Sequence, residues 1–171
     1  SIAKENAELL GGCITLDSEK GEGATFFVHL PYRPVFSESK SIDDLQNVVL
    51  VVEDEQVNYL LLEAMLENEL NFPCRLYHAK DGKEAVELCK QSPEINLVLM
   101  DLKLPVMSGF EATKVIKAHR PELYVVAQSA YSTKDMIAKS KAAGCDDFLS
   151  KPITLAAFSE MLYRFNKTSK A

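Results

Sequence analysis

Hydrophobic and polar positions over residues 47–166 follow two periods in turn. Short apolar runs occupy residues 48–52, 95–100, 124–127 and 148–149, and residues 75–79 read as a shorter, mixed strand. The runs at 48–52 and 95–100, the latter interrupted only by Asn96, are apolar without alternation, which predicts strands buried on both faces. Between the runs, apolar residues recur at helical spacing over 56–70, 82–90 and 110–119, then from Ser132 or Thr133 to Ala143-Gly144, and from a Thr154 cap to Arg164. Asp81-Gly82 opens one of these helices, Gly144 closes another, and Asn71, Pro73 and Pro121 lie just beyond helix ends. Five strands alternating with five helices predict an α/β fold, a parallel sheet covered on both faces. Right-handed crossovers leave few topologies. The doubly wound order 2-1-3-4-5 fits, with its switch point between the first and third strands.

The preceding residues are patterned differently. Ile2, Ala3, Leu9 and Leu10 predict a helix stopped by Gly11-Gly12. Residues 13–16 read as a strand, 18–23 as a polar turn, and 24–30 as an alternating strand ended by Pro31. Phe26, Val28 and Leu30 fall on one side of it, Thr25, Phe27 and His29 on the other. A helix and two strands are too little for an independent core, so residues 1–31 read as the trailing edge of a domain whose body lies upstream. Residues 32–46, with Pro34, three serines and Asp43-Asp44, predict a linker, and 167–171 a short tail.

Composition narrows the function classes. A net charge of -6 argues against a general nucleic-acid or anionic-membrane surface. Cys13, Cys74, Cys89 and Cys145 form no C-x-x-C pair, which favours reduced thiols over a zinc site or disulfide framework. No apolar run approaches the ~18 residues of a membrane span. The chain starts at Ser1 and reads as the cytoplasmic piece of something longer, whose remainder can be membrane-anchored.

The charged residues gather where the topology predicts chemistry. Strand one runs into Glu53-Asp54, and strand three runs into Asp101 followed by Pro105 and Gly109. The strand order places these ends side by side at the carboxyl edge of the sheet, where ligands of open α/β sheets bind. Three carboxylates that close repel unless a cation sits among them, and oxygen-only ligands point to Mg²⁺. Strand four runs into Gln128-Ser129-Ala130 and strand five into Ser150-Lys151-Pro152. A Ser129 hydroxyl and a Lys151 ammonium facing the carboxylates make a site for a phosphoryl group, with a carboxylate as nucleophile. None of His29, His78 and His119 heads a His-acid phosphodonor pattern or pairs at metal spacing, so each is expected to be structural or exposed.

Two resemblances organise these readings. The stretches Ser1-Ile2-Ala3-Lys4, Leu10-Gly11-Gly12-Cys13-Ile14, Ser18-Glu19-Lys20-Gly21-Glu22-Gly23-Ala24-Thr25-Phe26 and Leu30-Pro31 resemble the end of a sensor histidine kinase's ATP-binding domain. The nucleotide- and magnesium-binding boxes of that family precede this part and are absent, so no kinase activity is expected of this chain. Val52-Glu53-Asp54, Met100 to Gly109, Ala127-Gln128-Ser129-Ala130 and Ala143 to Ile153 resemble the receiver (response-regulator) domain of two-component signalling. Together the two resemble a hybrid sensor kinase.

The receiver resemblance implies that Asp101 is the phosphoacceptor. It implies that Glu53, Asp54 and Asp101, with the backbone carbonyl of Lys103, hold Mg²⁺. Lys151 would pair with the phosphoryl oxygens, Ser129 would be the switch hydroxyl, and Phe148 the aromatic that follows it. The Lys151-Pro152 bond is often cis in the family. The implied partner is a histidine kinase phosphodonor domain or a histidine phosphotransfer protein. Lys103 and Tyr131, two residues past Asp101 and Ser129, depart from the family's commoner residues and are expected to modulate the phosphoryl lifetime. Leu60, Leu61, Leu62, Leu66 and Leu70 cannot all face the sheet. The usual reading is a wide core face, and the sharper one is an exposed apolar patch, Leu62 within it, that docks a helical phosphodonor beside Asp101.

An aspartyl-nucleophile phosphatase is the alternative, but such enzymes usually carry a second Asp where Lys103 stands. A flavin domain of similar topology would need a phosphate-cradling loop where Glu53-Asp54-Glu55 repels phosphate.

Overall fold

The computed structural model describes residues 13–19, 23–29 and 47–168. The helix expected before Gly12, the tip of the hairpin turn and the linker lie outside the described residues. The chain forms two compact units.

In the first unit, β1 (Cys13–Glu19) and β2 (Gly23–His29) pair antiparallel, Cys13 opposite His29 and Glu19 opposite Gly23. Ser18 and Glu19, expected in the turn, therefore belong to the ladder. An antiparallel ladder is built from backbone groups and can run on through polar side chains. On one face Thr15 Oγ1 lies 3.1 Å from His29 Nε2.

The second unit is a five-stranded parallel sheet of β3 (Asn47–Val52), β4 (Cys74–Ala79), β5 (Leu97–Asp101), β6 (Tyr124–Ser129) and β7 (Asp147–Ser150). The order β4-β3-β5-β6-β7 is the expected 2-1-3-4-5 counted within this unit. Helices α1 (Gln56–Ala64), α2 (Gly82–Gln91), α3 (Gly109–His119), α4 (Lys134–Ala143) and α5 (Leu155–Thr168) join the strands and follow the last. Successive residues of β3 and β5 enter opposite layers. Leu50, Val52, Val98 and Met100 pack with Ala85, Cys89, Ala112 and Ile116 of α2 and α3. Val49, Val51, Leu97 and Leu99 pack with Leu62 and Leu66 and with Phe158, Met161 and Phe165 of α5. Both parities are buried, which is why these strands read as continuous apolar runs. Phe158 is fully enclosed, and its truncation to Ala would cost about 3–5 kcal/mol.

Capping chemistry sets the helix starts. Asp81 accepts from the N–H groups of Lys83 and Glu84, and Thr133, not Ser132, caps α4. Ser108 and Glu111 form a reciprocal capping box at α3. Gly144 ends α4 in the left-handed conformation, at φ 104°.

Further expectations change, the first in β5, which spans Leu97–Asp101 rather than 95–100. The helix predicted over 56–70 is α-helical only to Ala64; Met65–Glu69 forms a π turn, in which Leu70 N donates to Met65 O at 2.9 Å. Leu62 is not in an exposed patch: at 2 % exposure it belongs to the core, with Leu66. On α1 the exposed large apolar residues are Val57, Leu60 and Leu61, because the 100° step per residue turns Leu62 inward and these outward. Finally, α5 runs to Thr168 rather than Arg164.

Candidate functional site

The register of the central strands builds the site. Val52 pairs with Met100, so Glu53 and Asp101 leave β3 and β5 at the same level. Carboxylate oxygens of Glu53, Asp54 and Asp101 lie within 4.8 Å of one another. Glu53 and Asp101 are buried, at 1 % and 7 % exposure, whereas Asp54 is open to solvent. Lys151 reaches across from the end of β7, and its Nζ lies 2.5 Å from both Glu53 Oε2 and Asp101 Oδ2. Burial pushes the lysine pKa down, but its hydrogen bonds to Asp101 and Glu53 and their charges outweigh that and raise it above the ordinary value. The ammonium is therefore held charged beside the two carboxylates.

Each carboxylate is also aimed by neighbours. Asp101 Oδ1 accepts from the Lys103 N–H at 2.7 Å. Asn58, in the first turns of α1, donates from Nδ2 to Glu53 Oε1 at 2.9 Å. The Glu53 N–H donates to Ala79 O, and His78 Nε2 lies 2.9 Å from Glu53 O while its ring stacks on Tyr59. His78 is thus structural, as expected, but it supports the site; His29 and His119 are exposed. Asn58 and His78 were missed as site residues because their partners are set by folding, not by spacing.

The loop behind Asp101 closes tightly. Met107 N donates to Pro105 O at 2.6 Å around Val106, which sits at φ 63°. This γ-turn geometry is costly for a β-branched residue. A Cβ on Gly109 would fall 2.0 Å from Asp101 O, so only glycine lets α3 start against the strand that ends in Asp101.

The mouth is formed by the remaining predicted residues. Ser129 is buried, and its Oγ accepts from the Tyr131 N–H at 3.1 Å, which leaves the hydroxyl hydrogen for another acceptor. Lys103 Nζ lies over the Tyr131 ring, 4.4 Å from its centre. The two residues singled out for their departures therefore touch each other. Phe148 is half-buried against the α2/α3 layer, and Lys151-Pro152 is cis.

These residues fit a hard divalent ion. Three carboxylates against one ammonium leave the cluster two negative charges in excess, when all are ionised. The carboxylate oxygens, all within 4.8 Å of one another, would need to draw in only slightly to share one small oxygen-liganded ion. Asp54 keeps a side open to water and ligand. The arrangement combines oxygen ligands, a fixed cation and a buried hydroxyl at a topological switch point, the parts that phosphoryl transfer uses.

The fold and site thus define an α/β domain built to handle a phosphoryl group at its carboxyl edge. Residues 49–163 match the family described as the response regulator receiver domain, and the chain belongs to that family. It is 32 % identical over 174 residues to the aerobic respiration control sensor protein ArcB of Escherichia coli, covering 96 % of this chain and 22 % of that protein. It is 33 % identical over 138 residues to the histidine-protein kinase BarA of the same organism, covering 80 % of this chain and 14 % of BarA. The chain therefore spans about a fifth or less of these relatives' length. Among solved structures it resembles the receiver domain of the sensor histidine kinase PA1611 of Pseudomonas aeruginosa, which holds a magnesium ion in its active-site cleft. Identity there is 31 % and the TM-score 0.62, covering 70 % of this chain and 96 % of that one. It also resembles the co-crystal structure of the Saccharomyces cerevisiae phosphotransfer protein Ypd1 with the receiver domain of Ssk1. That match is 30 % identical with a TM-score of 0.63, over 70 % of this chain and 88 % of the other. Among the described residues no helix is long and apolar enough to cross a membrane.

Proposed function

We infer that this receiver domain accepts a phosphoryl group on Asp101 from a phosphohistidine. Attack by an Asp101 oxygen forms the P–O bond as the P–N bond breaks and the imidazole leaves. Glu53, Asp54, Asp101 and the Lys103 carbonyl would hold Mg²⁺, which would supply charge neutralisation at the phosphoryl oxygens. Lys151 moves its ammonium from the carboxylates onto phosphoryl oxygens. Ser129 turns its hydroxyl from the Tyr131 N–H side toward the same group, and Phe148 follows into the space released. Lys103 and Tyr131, stacked at the mouth, restrict the approach of water and so lengthen the life of the acyl phosphate.

The observation that carries this reading is the short double contact of Lys151 with Glu53 and Asp101 inside an acidic cluster. The experiment is incubation with acetyl phosphate and Mg²⁺, followed by intact mass. One phosphoryl group should be gained by the wild type and none by Asp101→Asn. A label that survives the substitution overturns the assignment. The same measurement followed over time should show faster loss of label from Lys103→Ala and Tyr131→Ala.

The partner is a helical phosphodonor, either a histidine kinase domain or a phosphotransfer protein. Val57, Leu60 and Leu61, at 76 %, 49 % and 50 % exposure, form an apolar face on the helix that starts beside Glu53. The β1–β2 hairpin suits the end of a histidine kinase ATP-binding domain, and the ArcB match runs through both units. The whole protein is accordingly a hybrid sensor kinase in a phosphorelay.

A further inference from the structure

Gln128 is the described side chain whose chemistry the site has not used. It lies in β6, paired with Asp101 on one side and Leu149 on the other. Val126, one pleat earlier, lies with Leu149 and Phe158 in the α1/α5 layer, so Gln128 turns to that same face. The face carries Glu53 and Asp101 at its carboxyl edge. Gln128 is fully buried, at 0 % exposure, and neither its Nε2 nor its Oε1 has a hydrogen-bond partner. Among the described residues it is the one side chain in that condition.

A buried amide with both polar atoms unpaired is costly, and an apolar side chain of the same shape would remove the cost. The surroundings show what could use it. Lys151 follows β7, and its side chain reaches the ends of β5 and β3. The strand between β7 and β5 is β6, so the lysine crosses over the end of Gln128's strand. Both oxygens of Asp101 already accept hydrogen bonds, Oδ1 from Lys103 N and Oδ2 from Lys151 Nζ. A phosphoryl group on Asp101 changes this inventory. It adds acceptor oxygens and draws the ammonium away from the carboxylate.

We propose that Gln128 is a reserve ligand of the acyl phosphate: its Nε2–H, unpaired while Asp101 is free, donates to the acyl phosphate once that forms. The proposal rests on Asp101 being the acceptor. The unpaired Nε2–H burdens only the resting state, so pairing it favours the phosphorylated one, while Oε1 is left alike in both. The residue thereby biases the switch as well as holding the group.

Beryllofluoride with Mg²⁺ serves as the phosphoryl probe, and Gln128→Met keeps side-chain length without hydrogen-bonding groups. In thermal unfolding, the resting Gln128→Met protein should melt about 3 °C higher than wild type. Its apparent affinity for beryllofluoride should be about tenfold weaker. Gln128→Leu should repeat both effects. A merely structural glutamine would not move stability and affinity in opposite directions. A lower melting temperature or loss of folding in both variants shows the amide paired in the resting state and overturns the proposal. So does an unchanged affinity. Failure of the wild type to bind the probe instead sinks the reading of Asp101 itself.

Discussion

The two ends of the central sheet each hold a cation, and they use it differently. At the amino edge, Arg120 follows α3 and donates to four carbonyls: Cys89 O, Ser92 O, Pro93 O and Ile95 O, at 3.4, 3.3, 3.0 and 2.7 Å. Its Nε also meets Glu122 at 3.2 Å. The fork of the guanidinium matches a curved loop of neutral acceptors, and this closes the turn into β5. At the carboxyl edge, Lys151 faces two buried carboxylates, with Asp54 beside them. Its single charge cannot balance three. The amino end is saturated and so stabilises; the carboxyl end keeps an excess of negative charge and so still attracts a cation and a phosphoryl group.

The sharpest test of that contrast removes Arg120. Arg120→Ala should destabilise the domain by about 3 kcal/mol in urea unfolding, because several partly buried carbonyls lose a charged donor. The labelling rate by acetyl phosphate, per folded molecule, should stay unchanged; a lost label would mean that the two ends are coupled. Next in size, Lys151→Ala should cost about 2 kcal/mol in metal-free buffer by leaving buried carboxylates without their cation. Mg²⁺ should restore much of that stability, while labelling falls about 100-fold or more. If Mg²⁺ restored nothing, the acidic cluster would not be the ion's site. The smallest effect on stability belongs to Leu61→Asp, within about 0.5 kcal/mol of wild type. It should slow transfer from a phosphohistidine donor but leave acetyl phosphate labelling intact. Equal slowing of both reactions would remove the docking role from this face of α1.

Much of the fold was legible because burial on both faces writes itself as unbroken apolar runs. Residues 48–52 show this, as does most of 95–100, where Ile95 and Asn96 precede the strand, and the ends of both runs pointed at Glu53, Asp54 and Asp101. Ser129 and Lys151 were legible as the residues following the last two strands of a sheet whose order was already constrained. The leucines of α1 were less so: composition counts them, but helix phase decides that Leu62 is core and Leu61 surface. Asn58 and His78 carry no motif, and their contacts with Glu53 depend on how α1 and β4 sit against β3. The contact between Lys103 and Tyr131 joins two loops and could not be read from either alone.

By itself the sequence determined the strand and helix alternation, the family, and the acidic, hydroxyl and basic residues that end the strands. These are local properties, set by periodicity and by which residues follow each apolar run. Only the tertiary structure decided that Lys151 bridges Glu53 and Asp101, that Gly109 must lack a side chain to admit α3, and that Gln128 is sealed without a partner. The reason is physical: hydrogen bonding, close approach and desolvation depend on distances between segments that the chain brings together only on folding.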